Sequence, residues 1–158
     1  MTRTLRLGTV LLMLHLAASA FEDSTPFAAL KALQGQWAIQ AAGKTLAIRM
    51  TYEIGSNGSI VEERFGKELS VFYQDGPQLA MIHFCNRGNQ PRLKLNAEKS
   101  SPTVLDFEAV AVTNLPAPDA PHVQRIVYTL LDNNSMKLEI VWQRAKSQDS
   151  EIYRLDRI

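Results

Sequence analysis

A histidine and the only cysteine of the chain stand two residues apart, at His83 and Cys85. In an extended strand, residues at i and i+2 share a face, so both side chains and Met81 are expected on one wall. An imidazole beside a thiol can favour the thiolate, which is both a nucleophile and a metal ligand. Their Cβ atoms would start roughly 6–7 Å apart, given the rise of a strand. A buried thiol and a hydrogen-bonded imidazole are therefore the alternative.

A polar turn follows this pair at residues 86–92. It contains Gly88, so the strand is expected to end there and to gather Asn89, Gln90 and Arg92 at one rim. A guanidinium offers two parallel donors and amides add neutral ones, which suits a carboxylate or phosphate head group. The alternative is that these side chains cap backbone groups of the turn.

Other polar candidates have weaker patterns. Glu62 and Glu63 alternate along one predicted strand, so one of them points inward, where it either meets a ligand or pairs with an arginine. We take Glu62, together with His122, as a ligand-binding candidate. No His-x-His or Cys-x-x-Cys spacing is present, so no metal site is predicted. No residue is assigned a catalytic role.

The N-terminal residues 1–20 predict a secretory signal. Arg3 and Arg6 precede an apolar run over residues 7–16, and Ala18-Ser19-Ala20 fits signal peptidase, so cleavage is expected after Ala20. The run is shorter than the roughly 20 residues that span a bilayer, so no transmembrane segment is predicted. Secretion or a periplasmic location follows, with residues 21–158 as one domain. The net charge of +1 argues against nucleic acid as a partner.

One helix and ten strands are predicted to position these groups. Thr25 and Pro26 fit a helix N-cap and first position, and apolar residues recur at helical spacing up to Leu33. After Gly35 the apolar period changes to two, which is typical of half-buried strands. The strands are expected near residues 36–42, 45–54, 59–65, 69–74, 78–85, 92–97, 103–112, 122–131, 135–144 and 151–157.

Strands with short links and no second helical pattern predict an all-β antiparallel meander. Asn57-Gly58 and Asp75-Gly76 supply tight two-residue turns. Such a meander avoids exposed edges most completely by closing into an up-and-down barrel, which we expect here, with a two-sheet sandwich as the alternative. A barrel of this size can hold one small ligand.

The order of elements resembles the calycin superfamily, which includes the lipocalins. The shared features are the helix, Gly35-Gln36-Trp37 at the first strand, the meander and a last strand with arginines, Arg154 and Arg157. In lipocalins an arginine near the end of the chain packs over that tryptophan. The resemblance therefore implies structural roles for Gly35, Trp37 and Arg154.

A closer resemblance covers residues 58–92. His83-Phe84-Cys85 followed by Asn89-Gln90-Pro91-Arg92 is similar to a family of uncharacterised secreted bacterial lipocalin-like proteins, and His122 matches a second histidine of that family. Ile82, Phe84 and Gln74 differ from the threonine, tyrosine and histidine usual there. The family implies no activity. Residues 143–158 lack the proximal histidine of haem-binding barrels of this type, so no cofactor is predicted, and haem held by His83 or His122 is the less favoured alternative.

These observations predict a secreted or periplasmic protein that binds a small hydrophobic or amphipathic ligand in a barrel cavity. One alternative is an envelope protein-interaction module with a filled barrel, in which Ile82 and Phe84 form an outer patch suited to a homodimer. The less favoured alternative is a hydrolase-type enzyme that uses His83 and Cys85. The expected ligand-binding residues are Glu62, Met81, His83, Cys85, Asn89, Gln90, Arg92 and His122.

Overall fold

A computed structural model describes residues 25–158, so the predicted signal peptide lies outside the described residues. This part of the chain contains the helix α1 (Pro26–Ala32) and a single 3-10 turn at Ser56–Gly58. Every predicted strand is present. The strands are β1 (Gly35–Ala41), β2 (Lys44–Gly55), β3 (Ile60–Phe65), β4 (Glu68–Asp75), β5 (Gln78–Phe84), β6 (Gln90–Leu95), β7 (Val104–Thr113), β8 (His122–Asp132), β9 (Ser135–Arg144) and β10 (Ser147–Arg157).

The ten strands form one closed antiparallel barrel. Each strand pairs with the next in sequence, and β1 pairs with β10, which closes the sheet. Closure leaves no strand with an unpaired edge that could template aggregation. The predicted up-and-down barrel with one short helix is confirmed, and the sandwich alternative is wrong.

The helix covers one end of the barrel. Thr25 caps it by accepting a hydrogen bond from the Ala28 amide at 3.2 Å, and Pro26 occupies the first position, as predicted. Phe27 and Leu30 are buried against the barrel core. No helix within residues 25–158 is long and apolar enough to cross a membrane.

The Gly-x-Trp segment fixes the junction between the helix and β1. Trp37 is buried, and its indole donates a 2.8 Å hydrogen bond to the Leu33 carbonyl. The Arg157 guanidinium lies 4.4 Å from the centre of the Trp37 ring. A Cβ on Gly35 would lie 3.2 Å from Arg157, and its φ of +127° also favours glycine.

Arg157, not Arg154, is the arginine that covers Trp37, so the assignment to Arg154 is wrong. The register of β1 and β10 places Arg157 directly opposite Trp37, on the same face. Arg154 stands three residues away, which turns its side chain to the outer face, where it binds Asp156 at 3.0 Å.

The interior of the barrel is filled by side chains. Phe72, Phe107 and Tyr128 pack edge to face with ring centres 5.5–6.2 Å apart. An enclosed cavity of about 10 Å³ remains, which is room for about one water molecule. Among residues 25–158, the larger spaces lie at the ends of the barrel.

Candidate functional site

The barrel end opposite α1 opens into a depression of about 330 Å³, called the mouth below. In an up-and-down barrel all odd-numbered strands end at the same rim, so the turns after β3, β5 and β9 meet here, whereas α1 enters at the other end. Phe65, Trp142 and Tyr153 provide an aromatic wall, and Lys67 and Arg87 provide cations. The mouth therefore combines apolar and charged surface.

Trp142 is the central side chain of the aromatic wall. It is 6% exposed, and the guanidinium groups of Arg87 and Arg144 lie 5.3 and 5.4 Å from its ring. Its buried indole Nε1 has no hydrogen-bond acceptor among residues 25–158. An unsatisfied buried donor costs about 1–3 kcal/mol, so the burial of Trp142 at this position is partly unfavourable.

The small enclosed cavity lies directly beneath the mouth. Phe65, Glu68 and Ile140 line both spaces, and the cavity is also bounded by His83 and Ser70. Polar groups of the barrel interior thus approach the floor of the mouth.

Glu68, His83 and Cys85 form a cluster at this floor. The hairpin of β4 and β5 pairs Leu69 with Phe84 and Ser70 with His83, which brings Glu68 beside Cys85. His83 Nε2 lies 4.0 Å from Glu68 Oε2, and Cys85 Sγ lies 3.7 Å from Glu68 Oε1. One donor atom from each residue lies within 4.8 Å of the others. We call this group the Glu68–His83–Cys85 cluster.

A chain of hydrogen bonds behind the cluster orients the imidazole. His83 Nδ1 lies 3.1 Å from Ser70 Oγ, and Ser70 donates to Glu63 Oε1 at 3.0 Å. Tyr52 and Tyr128 each donate to Glu63 Oε2 at 2.7 Å. Because the serine proton is given to Glu63, Ser70 accepts the Nδ1 proton, which leaves a lone pair on Nε2. Within the described chain, that buried nitrogen has no hydrogen-bond partner.

Burial controls the charges in the cluster. It lowers the pKa of His83 to about 4, because an imidazolium would be poorly solvated there. Burial also raises the pKa of Cys85, and the nearby Glu68 carboxylate adds to this shift. The pKa of Glu68 is itself raised, mainly by burial. Imidazole and thiol are therefore both neutral near pH 7, and this arrangement lacks the thiolate–imidazolium pair that a cysteine nucleophile needs.

The structure brings together some of the predicted residues. Met81, His83 and Cys85 share the inner face of the β5 wall, as the alternation predicts, and all three are buried. Asn89 and Gln90 bind backbone instead, since Asn89 donates to the Pro121 carbonyl at 3.1 Å and Gln90 to the Gly88 carbonyl at 2.7 Å. They match the capping alternative.

Arg92, His122 and Glu62 lie apart from the cluster. Arg92 is exposed on the outer face of β6, and His122 binds the Ala120 carbonyl at 2.9 Å. Glu62 also faces outward, hydrogen-bonded to Arg64 at 2.8 Å, whereas Glu63 is the interior carboxylate. The prediction that took Glu62 as the carboxylate of the site is therefore wrong, because Glu63 is the one that points inward. The roles of the predicted residues in ligand binding stay predictions.

The predicted outer patch, formed by Ile82 and Phe84, lies on the outer face of the barrel. Phe84 is 42% exposed and Ile82 is half-buried, so both face outward from β5. A homodimer through this face remains a prediction.

Several residues of the site escaped the sequence analysis, among them Glu68, Arg87 and Trp142. A signal for Glu68 does exist in the chain. Counting back along the hairpin from the Asp75-Gly76 turn pairs Asp75 with Gln78 and continues until Glu68 stands beside Cys85. Arg87 and Trp142 come from different turns and strand ends, so only the closed barrel brings them together.

Comparison of the chain with protein-family models and with curated proteins gives no match. The functional assignment therefore depends on the geometry of the mouth and of the cluster at its floor.

Proposed function

We propose that this protein binds a small amphipathic ligand in the mouth of its barrel, as a secreted or periplasmic binding protein. The observation that supports this proposal is a depression of about 330 Å³, with aromatic and cationic lining, above a filled interior. Its volume falls in the range of about 300–1,000 Å³ typical of small-molecule sites. The predicted signal peptide supports the location.

The lining favours a ligand with an apolar body and an anionic end. Phe65, Trp142 and Tyr153 offer flat apolar surface to the body. Arg87 and Lys67 form no ion pair with any residue of the described chain, and they share the mouth with the carboxylates of Glu68 and Glu151, the second of which accepts a 2.8 Å hydrogen bond from Tyr153. The free cations thus favour a carboxylate, sulfonate or phosphate group.

Fluorescence of 8-anilinonaphthalene-1-sulfonate tests this proposal, because this probe combines aromatic rings with an anion. We expect saturable binding at one site per chain, and Arg87→Gln should weaken it about tenfold, as expected for loss of a charge-assisted hydrogen bond. Arg49→Gln is the matched control, since Arg49 is exposed on the outer face of β2. Octanoate should displace the probe, and octylammonium should not.

Other outcomes would contradict the proposal. Probe emission that never saturates would indicate general surface adsorption. Equal loss in the Arg87→Gln and Arg49→Gln variants, or displacement by both octanoate and octylammonium, would exclude a cationic mouth as the site of binding.

A further inference from the structure

We propose that Glu68, His83 and Cys85 form a binding site for a divalent transition-metal ion of the Zn²⁺ type at the floor of the mouth. The site does not depend on the organic ligand proposed above. The pairing of β4 with β5 holds the three side chains close together.

The donor set selects the class of ion. One carboxylate oxygen, one imidazole nitrogen and one sulfur converge within 4.8 Å. Zn²⁺ and similar first-row ions accept all three donor types. Ca²⁺ and Mg²⁺ require oxygen ligands almost alone, so this set disfavours them.

An independent observation points to a ligand at this position. His83 is only 4% exposed, and its Nε2 lacks a hydrogen-bond partner within residues 25–158 while facing Glu68 at 4.0 Å. A buried polar atom without a partner is rare in folded proteins and calls for an explanation. A metal ion bound to the Nε2 lone pair would satisfy it.

The groups behind His83 match those that orient metal-binding histidines. Such a ligand usually donates its other ring N–H to a fixed acceptor, which sets the tautomer and the direction of the ring. Here Ser70 accepts from Nδ1 at 3.1 Å and is held by Glu63 at 3.0 Å. The imidazole is therefore already neutral and oriented, with Nε2 facing Glu68.

Small side-chain movements bring the donors to metal distance. Bond lengths of about 2.0–2.3 Å around a tetrahedral Zn²⁺ place neighbouring ligand atoms about 3.4–3.6 Å apart. The three donor atoms, one from each residue, lie within 4.8 Å of one another, so each pair must close by no more than about 1.4 Å. On binding, the Cys85 S–H bond would break, its proton would pass to solvent and the sulfur would bond to the metal.

Three protein ligands leave a fourth coordination position. Glu68 lines both the mouth and the small cavity, so the ion would lie at their boundary. The fourth position could then be taken by water or by a donor atom of a molecule in the mouth, as in zinc sites with three protein ligands.

Titration of tag-free, chelator-treated protein with Zn²⁺ and Co²⁺ tests the site. We expect one Zn²⁺ per chain by calorimetry, and a sulfur-to-cobalt charge-transfer band with Co²⁺. Cys85→Ser should abolish that band, and Glu68→Gln should weaken Zn²⁺ binding at least tenfold. Glu108→Gln, a carboxylate paired with Lys99 on the barrel surface, is the matched control and should bind as the wild type does.

A second measurement avoids substitutions altogether. Zn²⁺ should slow the alkylation of Cys85 by N-ethylmaleimide in the wild-type protein, and Mg²⁺ should not. Absence of saturable Zn²⁺ binding, a charge-transfer band that persists in Cys85→Ser, or equal Zn²⁺ affinity in Glu68→Gln and wild type would overturn the proposal. Binding of the naphthalene sulfonate probe to metal-free protein tests the mouth separately, so the two failures are distinguishable.

Discussion

Replacing Glu63 by alanine should destabilise the barrel by about 1–3 kcal/mol. Its carboxylate accepts hydrogen bonds from Tyr52, Tyr128 and Ser70, all of which are buried. Ser70 can turn its proton to His83 Nδ1, and the Tyr52 hydroxyl keeps Met50 Sδ at 3.0 Å as a weak acceptor, but the Tyr128 hydroxyl would lose its acceptor. An unsatisfied buried hydroxyl costs about 1–3 kcal/mol, so we expect a loss of about 1–3 kcal/mol in the free energy of unfolding.

Glu63→Gln separates the effect of the hydrogen bonds from that of the charge. The amide oxygen can still accept from both tyrosines, and the amide nitrogen then faces Ser70. Burial raises the pKa of Glu63 in the folded state, so folding favours its protonated form. This contribution to stability is fully present below the unfolded pKa of about 4.3 and is lost as the pH rises through the folded pKa. The variant has no such loss, so its stability relative to wild type should improve from pH 4 to pH 7.

Urea unfolding followed by tryptophan fluorescence at pH 4 and pH 7 measures both effects. Glu108→Gln serves as the control, because its pKa is lowered by the hydrogen bond from Lys99 and the pH trend of the difference has the opposite sign. The reasoning would be refuted if Glu63→Ala cost less than about 1 kcal/mol, the lower bound for one unsatisfied hydroxyl. A Glu63→Gln difference that is the same at both pH values would refute the charge argument.

Two further predictions concern Arg157 and the orientation of His83. Arg157→Gln should lower the free energy of unfolding by about 1–2 kcal/mol, because it loses the contact with Trp37 and the hydrogen bonds to the Ala32 and Gln34 carbonyls at the end of α1. The exposed Arg154→Gln should stay within about 0.5 kcal/mol in the same urea assay. Glu63→Gln should weaken Zn²⁺ binding about 10-fold or more, because its amide would donate to Ser70 and turn the serine proton onto Nδ1. Calorimetry measures this loss. Unchanged Zn²⁺ affinity in a folded Glu63→Gln variant would contradict the argument that Glu63 sets the tautomer of His83 through Ser70.

The strands could be predicted because alternation and turn residues are local signals. Residues 45–54, 122–131 and 135–144 carry clear periods of two, and their strands appear with nearly the expected bounds. The last strand begins at Ser147, earlier than predicted. Residues 147–150 are exposed and polar, so they lack the apolar alternation that would predict a strand. Pairing with β9 alone extends the strand there, starting from Ser147 opposite Arg144.

The site was predicted only where it lies on one strand. Alternation fixes that Met81, His83 and Cys85 share a face, but it does not say which neighbouring strand faces them. Glu68 joins them through the register of a hairpin, and register depends on pairing between strands. Parity within one strand is equally ambiguous when adjacent residues are both acidic, which is why Glu63 rather than Glu62 occupies the interior.

The buried carboxylate also protects the barrel against misalignment during folding. A slip of β3 by one residue would turn Glu63 out to solvent and bring Glu62 into the interior. Tyr52 and Tyr128 approach Glu63 from β2 and β8, so both hydroxyls reach this carboxylate in only one alignment of the three strands. Apolar alternation excludes a slip by one residue as well, but a slip by two residues would keep the apolar side chains inside and still displace Glu63 from its partners. The carboxylate thus favours the native strand pairing. It accepts hydrogen bonds from all three hydroxyls only when strands distant in sequence are correctly paired.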